Sequence, residues 1–595
     1  MQFVHKYRIQ ALICALAVLL CDLISRPFVS MGLNDDAPYI VMAHTLASTG
    51  HIVYNGWATA MLGWQLYVGA AFIKLFGFSY TTLRMSTLLV AMAIAFLFQR
   101  ILVRSGITER NATIGTLTLV LSPLYLMHSV TFMSDIWGFF AIVICLYSCI
   151  RALQSHTARP TIAWICFAIL TNALFGTSRQ IAWLGILVMV PSTLWLLRSR
   201  RRVLFAGATA NLAGAFFILG CMQWLKRQPY TVPEHLLPKT FSISFLFWQF
   251  LHLFLYFPFW LLPIAALFLP QIRKCRPRVI AIVSVMILGY LFIAIHPSHL
   301  RGNFLMEPTV ADWFGANGTY QYLSMEGTTP VFLPISVQVL LTAASFGALF
   351  GLIASLLGGP LLGGPLLGSP LFGGPSPDSR PAPPAVGFAT ALSWKQVGAL
   401  LGPFTVAYAL LLVPRGASPD EGIRDRYALG LVVGILLCII RYYQERIRPR
   451  LPAASIVLVA IVAVYSITVM SHTFSLYRAR VALAAELRAA GIPDTSVDNG
   501  WEYNLAVELQ HARYINWPTI AVPANAYVPP LPLPAGRCSM FIDFVTPHIR
   551  PLYSVSFSPD ACYGPAPFAP VHYSRWPYRT PGTLYVVHYL PPAKS

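Results

Sequence analysis

The stretch GLNDDAPYIVMAHTLASTGHIVYNG (residues 32–56) follows the first long apolar run of the chain and places two carboxylates, Asp35 and Asp36, side by side. Charged residues are scarce in this protein: they make up 10% of its 595 residues, whereas an ordinary soluble domain carries about 25%. The chain is 56% hydrophobic, and its mean hydropathy is +0.64. These values predict a polytopic α-helical membrane protein, in which two adjacent acids need an explanation.

Apolar runs on both sides of this stretch are long enough to cross a membrane, which takes about 20 residues in a helix. About thirteen transmembrane helices are predicted, at residues 10–28, 82–99, 112–129, 136–152, 160–177, 181–197, 203–224, 244–269, 279–296, 331–355, 396–413, 427–441 and 452–472. The run 58–76 is also apolar, but counting it as a span would put Arg100, Arg104 and Arg110 outside the cell, against the positive-inside rule. We therefore expect it to lie on the outer membrane surface, within an outer loop at residues 29–80.

The net charge of +20 is explained by this topology. With a cytoplasmic N-terminus, the predicted inner segments hold about half of the Lys and Arg residues and few acids, and they include RSRRR (198–202), RKCRPR (273–278) and RYYQERIRPR (441–450). Membrane lipids are therefore expected partners, and nucleic acid is not. Asp22 and Arg26 interrupt the first apolar run, which favours a retained anchor over a cleaved signal peptide.

Composition divides the chain into a transmembrane domain (residues 1–472) and a C-terminal domain (residues 473–595). Within the first, the Gly/Pro-rich segment 356–390 has prolines at a period of five, which break helices, and it is predicted to be a cytoplasmic linker. In the second, a helical stretch and short strand-like runs between proline-rich turns predict a small extracytoplasmic α+β domain. Cys538 and Cys562 lie there. An oxidising compartment permits a disulfide between them, although their spacing does not show that they meet.

The acid pair has two explanations when it is considered alone. Asp35 and Asp36 could be solvated loop charges, or they could cap the helix predicted to follow, because acids in a first turn complement the helix dipole. The functional explanation gains support from a third acid, Asp135, which stands alone in TFMSDIWGFF (131–140) at the outer mouth of the next pair of spans. Ionisable residues at such depths are costly and usually functional.

Several short patterns occur in an order that resembles a known family. These patterns are NDDAPYIVMAHTLASTG (34–50), FIKLFGFSYTTLRMSTLLV (72–90), FMSDIWGFFAIVICLY (132–147), GTSRQIAWLGILVMVP (176–191) and RDRYALGLV (424–432). Together they resemble the membrane glycosyltransferases of the GT-C fold, in particular glycosyltransferase family 39, which includes protein O-mannosyltransferases and aminoarabinose transferases. The resemblance covers residues 1–200 well and the rest weakly.

The chain also departs from that family in two places. NGWATAMLGWQ (55–65) stands where many relatives have an acid-Lys-Pro-Pro type segment, and Pro38 stands where aminoarabinose-transferring relatives carry a basic residue. These departures leave the particular donor and acceptor open. The resemblance implies GT-C type architecture and transfer of a sugar from a polyprenyl-phosphate donor to a hydroxyl of a glycan, lipid or protein on the outer face of the bacterial inner membrane.

Such a transfer needs a carboxylate to take the acceptor proton and cations to stabilise the leaving phosphate. Asp35 is the predicted general base, alone or as a ligand of a divalent metal, and Asp36 and Asp135 are predicted to position the acceptor or the metal. Arg179 is the predicted phosphate ligand, with Arg84 and Arg426 behind it, since arginine binds phosphate oxygens in a fork. The simpler alternative for each arginine is a lipid headgroup anchor or a helix-end charge.

Two other classes of function use the same lipids. A carrier or flippase for lipid-linked sugars would use the acids to bind coupling ions, but such proteins typically show inverted repeats and acids near mid-membrane, and no repeat is detected in this sequence. A polymerase or ligase of surface polysaccharides is usually marked by a large late outer loop, and the loop at 297–330 is modest. His296 and His299 in that region lack a nearby acid, so we expect a structural role for them.

Overall fold

The structure is a computed structural model, and part of the chain is described in it. The described residues are 2–57, 63–232, 240–295, 325–327, 333–358, 391–418, 423–530, 532, 538 and 543–590. Within these ranges, nine helices are long and apolar enough to cross a membrane. The protein is therefore a polytopic helical membrane protein, and the predicted number of about thirteen spans stays a prediction.

Helices dominate the described residues because the chain contains many apolar runs about 20 residues long. The α-helices are α1 (Gln2–Ser25), α2 (Asp36–Thr49), α3 (Trp64–Phe76), α4 (Tyr80–Arg104), α5 (Glu109–Val120), α6 (Pro123–Ser129), α7 (Ser134–Leu153), α8 (Ala158–Phe175), α9 (Val190–Leu196), α10 (Arg201–Leu225), α11 (Ile243–Trp260), α12 (Leu262–Ala265), α13 (Pro277–Ile295), α14 (Ile335–Gly358), α15 (Trp394–Gly416), α16 (Leu429–Arg446), α17 (Ala453–Ala489) and α18 (Trp501–Ala512). Each of the thirteen predicted runs contains helix, but some are broken into shorter pieces.

Two of these breaks have a local cause in the sequence. The run 112–129 forms α5 and α6, because Pro123 starts a new helix and the Ser122 hydroxyl accepts a hydrogen bond from the backbone N–H of Tyr125. The run 181–197 follows a 3-10 turn at Gly176–Ser178. It begins in a second 3-10 turn at Gln180–Trp183, continues as a π-helix at Gly185–Met189 and ends as α9. Irregular helix of this kind is common at functional sites.

The helix predicted to lie on the outer membrane surface is α3, and residues 58–62 of the predicted run lie outside the described residues. Its 13 residues are too few to cross a membrane. One face, with Leu66, Ala70 and Ile73, is buried against the rest of the protein, whereas Tyr67 and Leu75 are exposed. Its placement on the outer surface stays a prediction.

The last predicted span continues far beyond residue 472, because α17 has 37 residues and leads without a break into the C-terminal segment (residues 473–590). This segment contains α18 and a four-stranded sheet in the order β1 (Val497–Asp498), β2 (Tyr553–Ser556), β4 (Gly582–His588), β3 (Val571–Tyr573). The β1–β2 pair is parallel, and the other two pairs are antiparallel. Its location outside the cytoplasm and the two-domain division stay predictions.

Two contacts tie distant parts of the chain to this sheet. Cys538 and Cys562 are joined by a disulfide bond, which the sequence left open. Glu326, from the region between α13 and α14, forms a parallel bridge with Ser556 at the end of β2. Of the predicted linker 356–390, residues 359–390 lie outside the described residues.

Candidate active site

The centre of the candidate site is a buried ion pair between Asp135 and Arg179. The two side chains meet with 2.7 Å between Oδ1 of Asp135 and Nη1 of Arg179, and the Asp135 side chain is 1% exposed. Asp135 lies in the first turn of α7, and Arg179 lies between the two 3-10 turns that follow α8. One turn further along α7, the missing side chain of Gly138 leaves room for the aliphatic part of Arg179.

Arg426 connects this pair to Asp35. Its Nε lies 3.7 Å from Oδ1 of Asp135, and its Nη2 lies 3.4 Å from Oδ2 of Asp35. Arg426 belongs to a 3-10 turn at Asp425–Ala428 that immediately precedes α16, and its side chain is 8% exposed. Asp35 is more accessible, with 18% of its side chain exposed. The structure therefore brings four of the six predicted site residues together: Asp35, Asp135, Arg179 and Arg426.

Three guanidinium groups lie against one aromatic ring, that of Tyr427. The centre of the Tyr427 ring lies 4.8 Å from the guanidinium carbon of Arg179, 5.4 Å from that of Arg426 and 4.7 Å from that of Arg415. Cation–π contacts at such distances are attractive. The backbone carbonyl of Tyr427 accepts a hydrogen bond of 2.8 Å from the hydroxyl of Tyr408. Arg415, at the end of α15, was not predicted as a site residue.

Asn172 holds the irregular segment that carries Arg179. Its side-chain amide donates hydrogen bonds to the carbonyl of Ala182 (2.9 Å) and to that of Ala141 in α7 (3.1 Å). Its carbonyl oxygen accepts the backbone N–H of Ile186 (3.0 Å). Backbone groups that a broken helix leaves unpaired cost free energy in an apolar environment. Asn172 pairs with two such groups, the carbonyl of Ala182 and the N–H of Ile186, and its bond to Ala141 links this segment to α7, the helix of Asp135.

Asp35 and Asp36 point in different directions. The backbone of Asn34 has φ of 53°, and the Asp36 carboxylate turns into the protein, where it accepts backbone N–H groups of Leu33 (2.7 Å) and Phe132 (3.3 Å). Burial raises the pKa of Asp36 to about 7, and the positive charge of Arg84 and the two N–H bonds partly offset that effect. Asp36 is thus fully engaged in holding the outer loop in place.

Arg84 serves the same loop rather than the charged centre. Its guanidinium donates hydrogen bonds to the backbone carbonyls of Pro27 (3.1 Å), Val29 (2.7 Å) and Met31. The side chain is completely buried. Neither Asp36 nor Arg84 forms an ion pair with Asp135, Arg179 or Arg426 among the contacts of the described residues.

A small cavity lies beside the ion pair. Its charged lining is formed by Asp135, Arg179 and Arg426, and its remaining lining is mostly apolar, with Gly138, Phe139, Ile142, Ile181, Tyr408, Leu429 and Gly430. Gly138 and Ile142 lie on successive turns of α7 and share one face of that helix. Charged groups and apolar side chains therefore line the same small cavity.

The residues at this centre do not fit a divalent metal. Asp35 is held by Arg426 and by the indole N–H of Trp501 (3.2 Å), and Asp135 is held by Arg179 and Arg426. A cation bound by these oxygens would sit against two guanidinium groups, which disfavours it electrostatically. Elsewhere in the described ranges, one group of three potential metal ligands occurs, Glu326, Cys538 and Cys562, and both cysteines are used in the disulfide.

The chain is similar to known proteins in structure but not in sequence. No protein-family model matches the sequence, and no curated protein is similar to it. The chain is similar to ArnT from Cupriavidus metallidurans in the apo state (15% identity, TM-score 0.33) and bound to undecaprenyl phosphate (13% identity, TM-score 0.32), with 72% of this chain and 76% of ArnT covered in each case. It is also similar to the arabinosyltransferase EmbB from Mycobacterium smegmatis (13% identity, TM-score 0.32), with 84% of this chain and 43% of EmbB covered.

The TM-scores are too low to carry an argument about substrate or mechanism, which therefore depends on the residues of this chain.

Proposed function

We propose that the protein is an integral membrane glycosyltransferase that moves a sugar from a polyprenyl-phosphate donor to an acceptor hydroxyl on the outer face of the bacterial inner membrane. The observation that carries the proposal is the convergence of an accessible carboxylate, Asp35, with the guanidinium groups of Arg179 and Arg426 beside an apolar cavity. A transfer from a phosphate ester to an alcohol needs both kinds of group.

The positively charged lining of the cavity suits a phosphate. Three guanidinium groups surround Tyr427, whereas two carboxylates, Asp35 and Asp135, lie among them. These guanidinium groups can attract an anionic ligand, and the low exposure of Arg426 strengthens that attraction because screening by water is weak there. Arginine can hold two phosphate oxygens at once.

The apolar lining of the cavity suits the lipid part of the same donor. Nucleotide sugars are confined to the cytoplasm, so a transfer on the outer side needs a donor anchored in the bilayer. Phe139, Ile142 and Leu429 line the same cavity as the two arginines. A prenyl chain attached to a phosphate would therefore meet aliphatic side chains where its head group meets arginine.

In this mechanism the acceptor oxygen forms a bond to the anomeric carbon while its proton passes to Asp35. The bond between the anomeric carbon and the phosphate oxygen breaks, and its electron pair leaves with the lipid phosphate, which Arg179 and Arg426 stabilise. Asp135 keeps these two guanidinium groups in place from one side. Hydroxyl groups of glycans, lipids and proteins all meet the requirement for an acceptor.

The test uses purified protein and radiolabelled undecaprenyl-phosphate mannose or undecaprenyl-phosphate aminoarabinose. We expect release of undecaprenyl phosphate, and we expect Asp35→Asn to lower the rate by about 100-fold or more, since general base catalysis contributes that much. Asp560→Asn, at an exposed turn of the C-terminal segment, is the matched control and should keep the wild-type rate.

Two results would contradict the proposal. Unchanged turnover of Asp35→Asn would remove the base from the mechanism. Movement of intact donor across a vesicle membrane without cleavage would favour a carrier of lipid-linked sugars instead.

A further inference from the structure

We infer that Trp501 and Glu502, the first two residues of α18 in the C-terminal segment, are positioning residues that hold Asp35 in its catalytic orientation. The inference rests on the proposed function of Asp35 as the base. It extends that function by making the C-terminal segment a necessary part of the site.

The contact of Trp501 is direct. Its indole N–H donates a hydrogen bond of 3.2 Å to Oδ1 of Asp35, and the ring is 5% exposed. Gly500, with φ of 76°, precedes it and lets the chain turn into α18 at this point. The other carboxylate oxygen, Oδ2, faces Arg426. Asp35 is therefore held by the C-terminal segment on one side and by the transmembrane region on the other.

Glu502 fixes the backbone beside Asp35. Its Oε1 accepts the backbone N–H of Asn34 (3.3 Å) and the hydroxyl of Tyr477 (2.7 Å), and its Oε2 lies 3.1 Å from Nη1 of Arg480. The side chains of Glu502 and Arg480 are both completely buried. A buried carboxylate that is paired and hydrogen-bonded in this way holds its partners in one geometry.

The two contacts act together, because two consecutive residues of α18, Trp501 and Glu502, bind two consecutive residues of the outer loop, Asp35 and Asn34. Around them, Trp57 packs edge-on against the rings of Trp501 (5.5 Å between centroids) and Trp517 (5.1 Å). An indole N–H has one hydrogen to donate, and here it goes to Oδ1 while Arg426 donates to Oδ2, so the two contacts together fix the orientation of the Asp35 carboxylate.

Loss of the indole N–H should change the rate without changing donor binding. A hydrogen bond to a carboxylate stabilises the charged, proton-accepting form. The other charges that face Asp35 are Arg426 from the turn before α16, with Asp135 and Arg179 behind it, and the neighbouring Asp36 and Glu502. None of them is altered in Trp501→Phe.

We therefore expect Trp501→Phe to lower kcat about tenfold. KM for undecaprenyl-phosphate mannose should stay within twofold. Trp517→Phe removes the same N–H and the same ring area from a tryptophan of the same cluster that does not bond to Asp35, and it should leave both kcat and KM unchanged.

Tyr477→Phe provides a second measurement that does not depend on the folding of the tryptophan variant. It removes the hydroxyl bonded to Glu502, and we expect a smaller fall in kcat at unchanged KM. The inference is overturned if Trp501→Phe and Tyr477→Phe both keep the wild-type kcat, or if Trp517→Phe matches Trp501→Phe. If either result is obtained and Asp35→Asn is inactive, the proposed function stands and only the inference about Trp501 and Glu502 fails. If Asp35→Asn is active, both the proposed function and this inference fail.

Discussion

Gly138→Ala tests whether the position of Arg179 matters for donor binding. A Cβ atom at residue 138 would lie 2.6 Å from Cβ and 2.9 Å from Cδ of Arg179. Carbon atoms in contact need about 3.5 to 4 Å, so Arg179 has to retreat by roughly 1 Å. Because the closest atom is the Cβ of Arg179 rather than the tip of its side chain, the root of the residue must move and no rotamer change avoids the clash.

The displacement would weaken the interaction with Asp135, which now joins two atoms 2.7 Å apart. A misplacement of about 1 Å in a catalytic group costs about 100-fold in rate, which corresponds to about 3 kcal/mol of transition-state stabilisation. We expect Gly138→Ala to lower kcat/KM for undecaprenyl-phosphate mannose by about that factor and to weaken binding of radiolabelled undecaprenyl phosphate at least tenfold.

Gly402→Ala is the matched control. It makes the same change inside α15, where an added Cβ meets no atom within 4 Å, and it should keep both kcat/KM and lipid binding. The thermal unfolding midpoint of both variants in detergent verifies that they are folded. A folded Gly138→Ala variant with wild-type lipid binding and turnover would refute the role of Arg179 as phosphate ligand.

Three further predictions concern the surroundings of the site. Asp135→Asn leaves two buried guanidinium groups without their shared carboxylate; we expect 3 kcal/mol or so of lost stability together with low activity, measured by chemical unfolding and by turnover. Because the folded-state pKa of Asp36 is raised by burial to about 7, the folded protein binds more protons than the unfolded chain between about pH 4 and 7, so its unfolding midpoint should fall as the pH rises through that window and Asp36→Asn should flatten the decline. Asn172→Ala removes the three hydrogen bonds that hold the irregular segment carrying Arg179. We expect it to raise KM for undecaprenyl-phosphate mannose, whereas the control Asn211→Ala in α10 should leave KM unchanged.

The positions of the helices were largely predictable from the sequence. Runs of about 20 apolar residues can satisfy their backbone groups in a membrane only as helices, so hydropathy located them. The breaks were not predictable, because they depend on single side chains from other helices. The run 181–197 reads as one apolar span, and the amide of Asn172, in the preceding helix, is what pairs with the broken backbone.

The candidate site was predictable in part. The order of the motifs pointed to Asp35, Asp135, Arg179 and Arg426, which the structure brings together. The sequence predicted Asp35 as the base and Asp36 as a positioning residue, but it did not show that Asp36 turns into the protein after the left-handed backbone at Asn34. Their roles, and those of Arg84 and Arg426, stay predictions until the variants are measured.

The contact between Trp501 and Asp35 joins residues 466 positions apart. A pairing at that separation leaves no local pattern in the sequence, although Trp501 lies in a conspicuous aromatic turn, DNGWEYN (498–504). Arg415 follows Pro414 at the end of an apolar run, where a headgroup anchor is the simpler expectation. Its approach to the Tyr427 ring associates it with the site.

The 37 residues of α17 include neither glycine nor proline, and at 1.5 Å per residue the helix is about 55 Å long. The hydrocarbon core of a bilayer is about 30 Å thick, so nearly half of this rod projects beyond it and carries Tyr477 and Arg480 at fixed height. Because α17 has no glycine or proline at which it could bend, a tilt of its membrane-embedded part tilts the whole helix. A membrane of different thickness would tilt α17, and we expect that tilt to move α18, which carries Trp501, relative to Asp35.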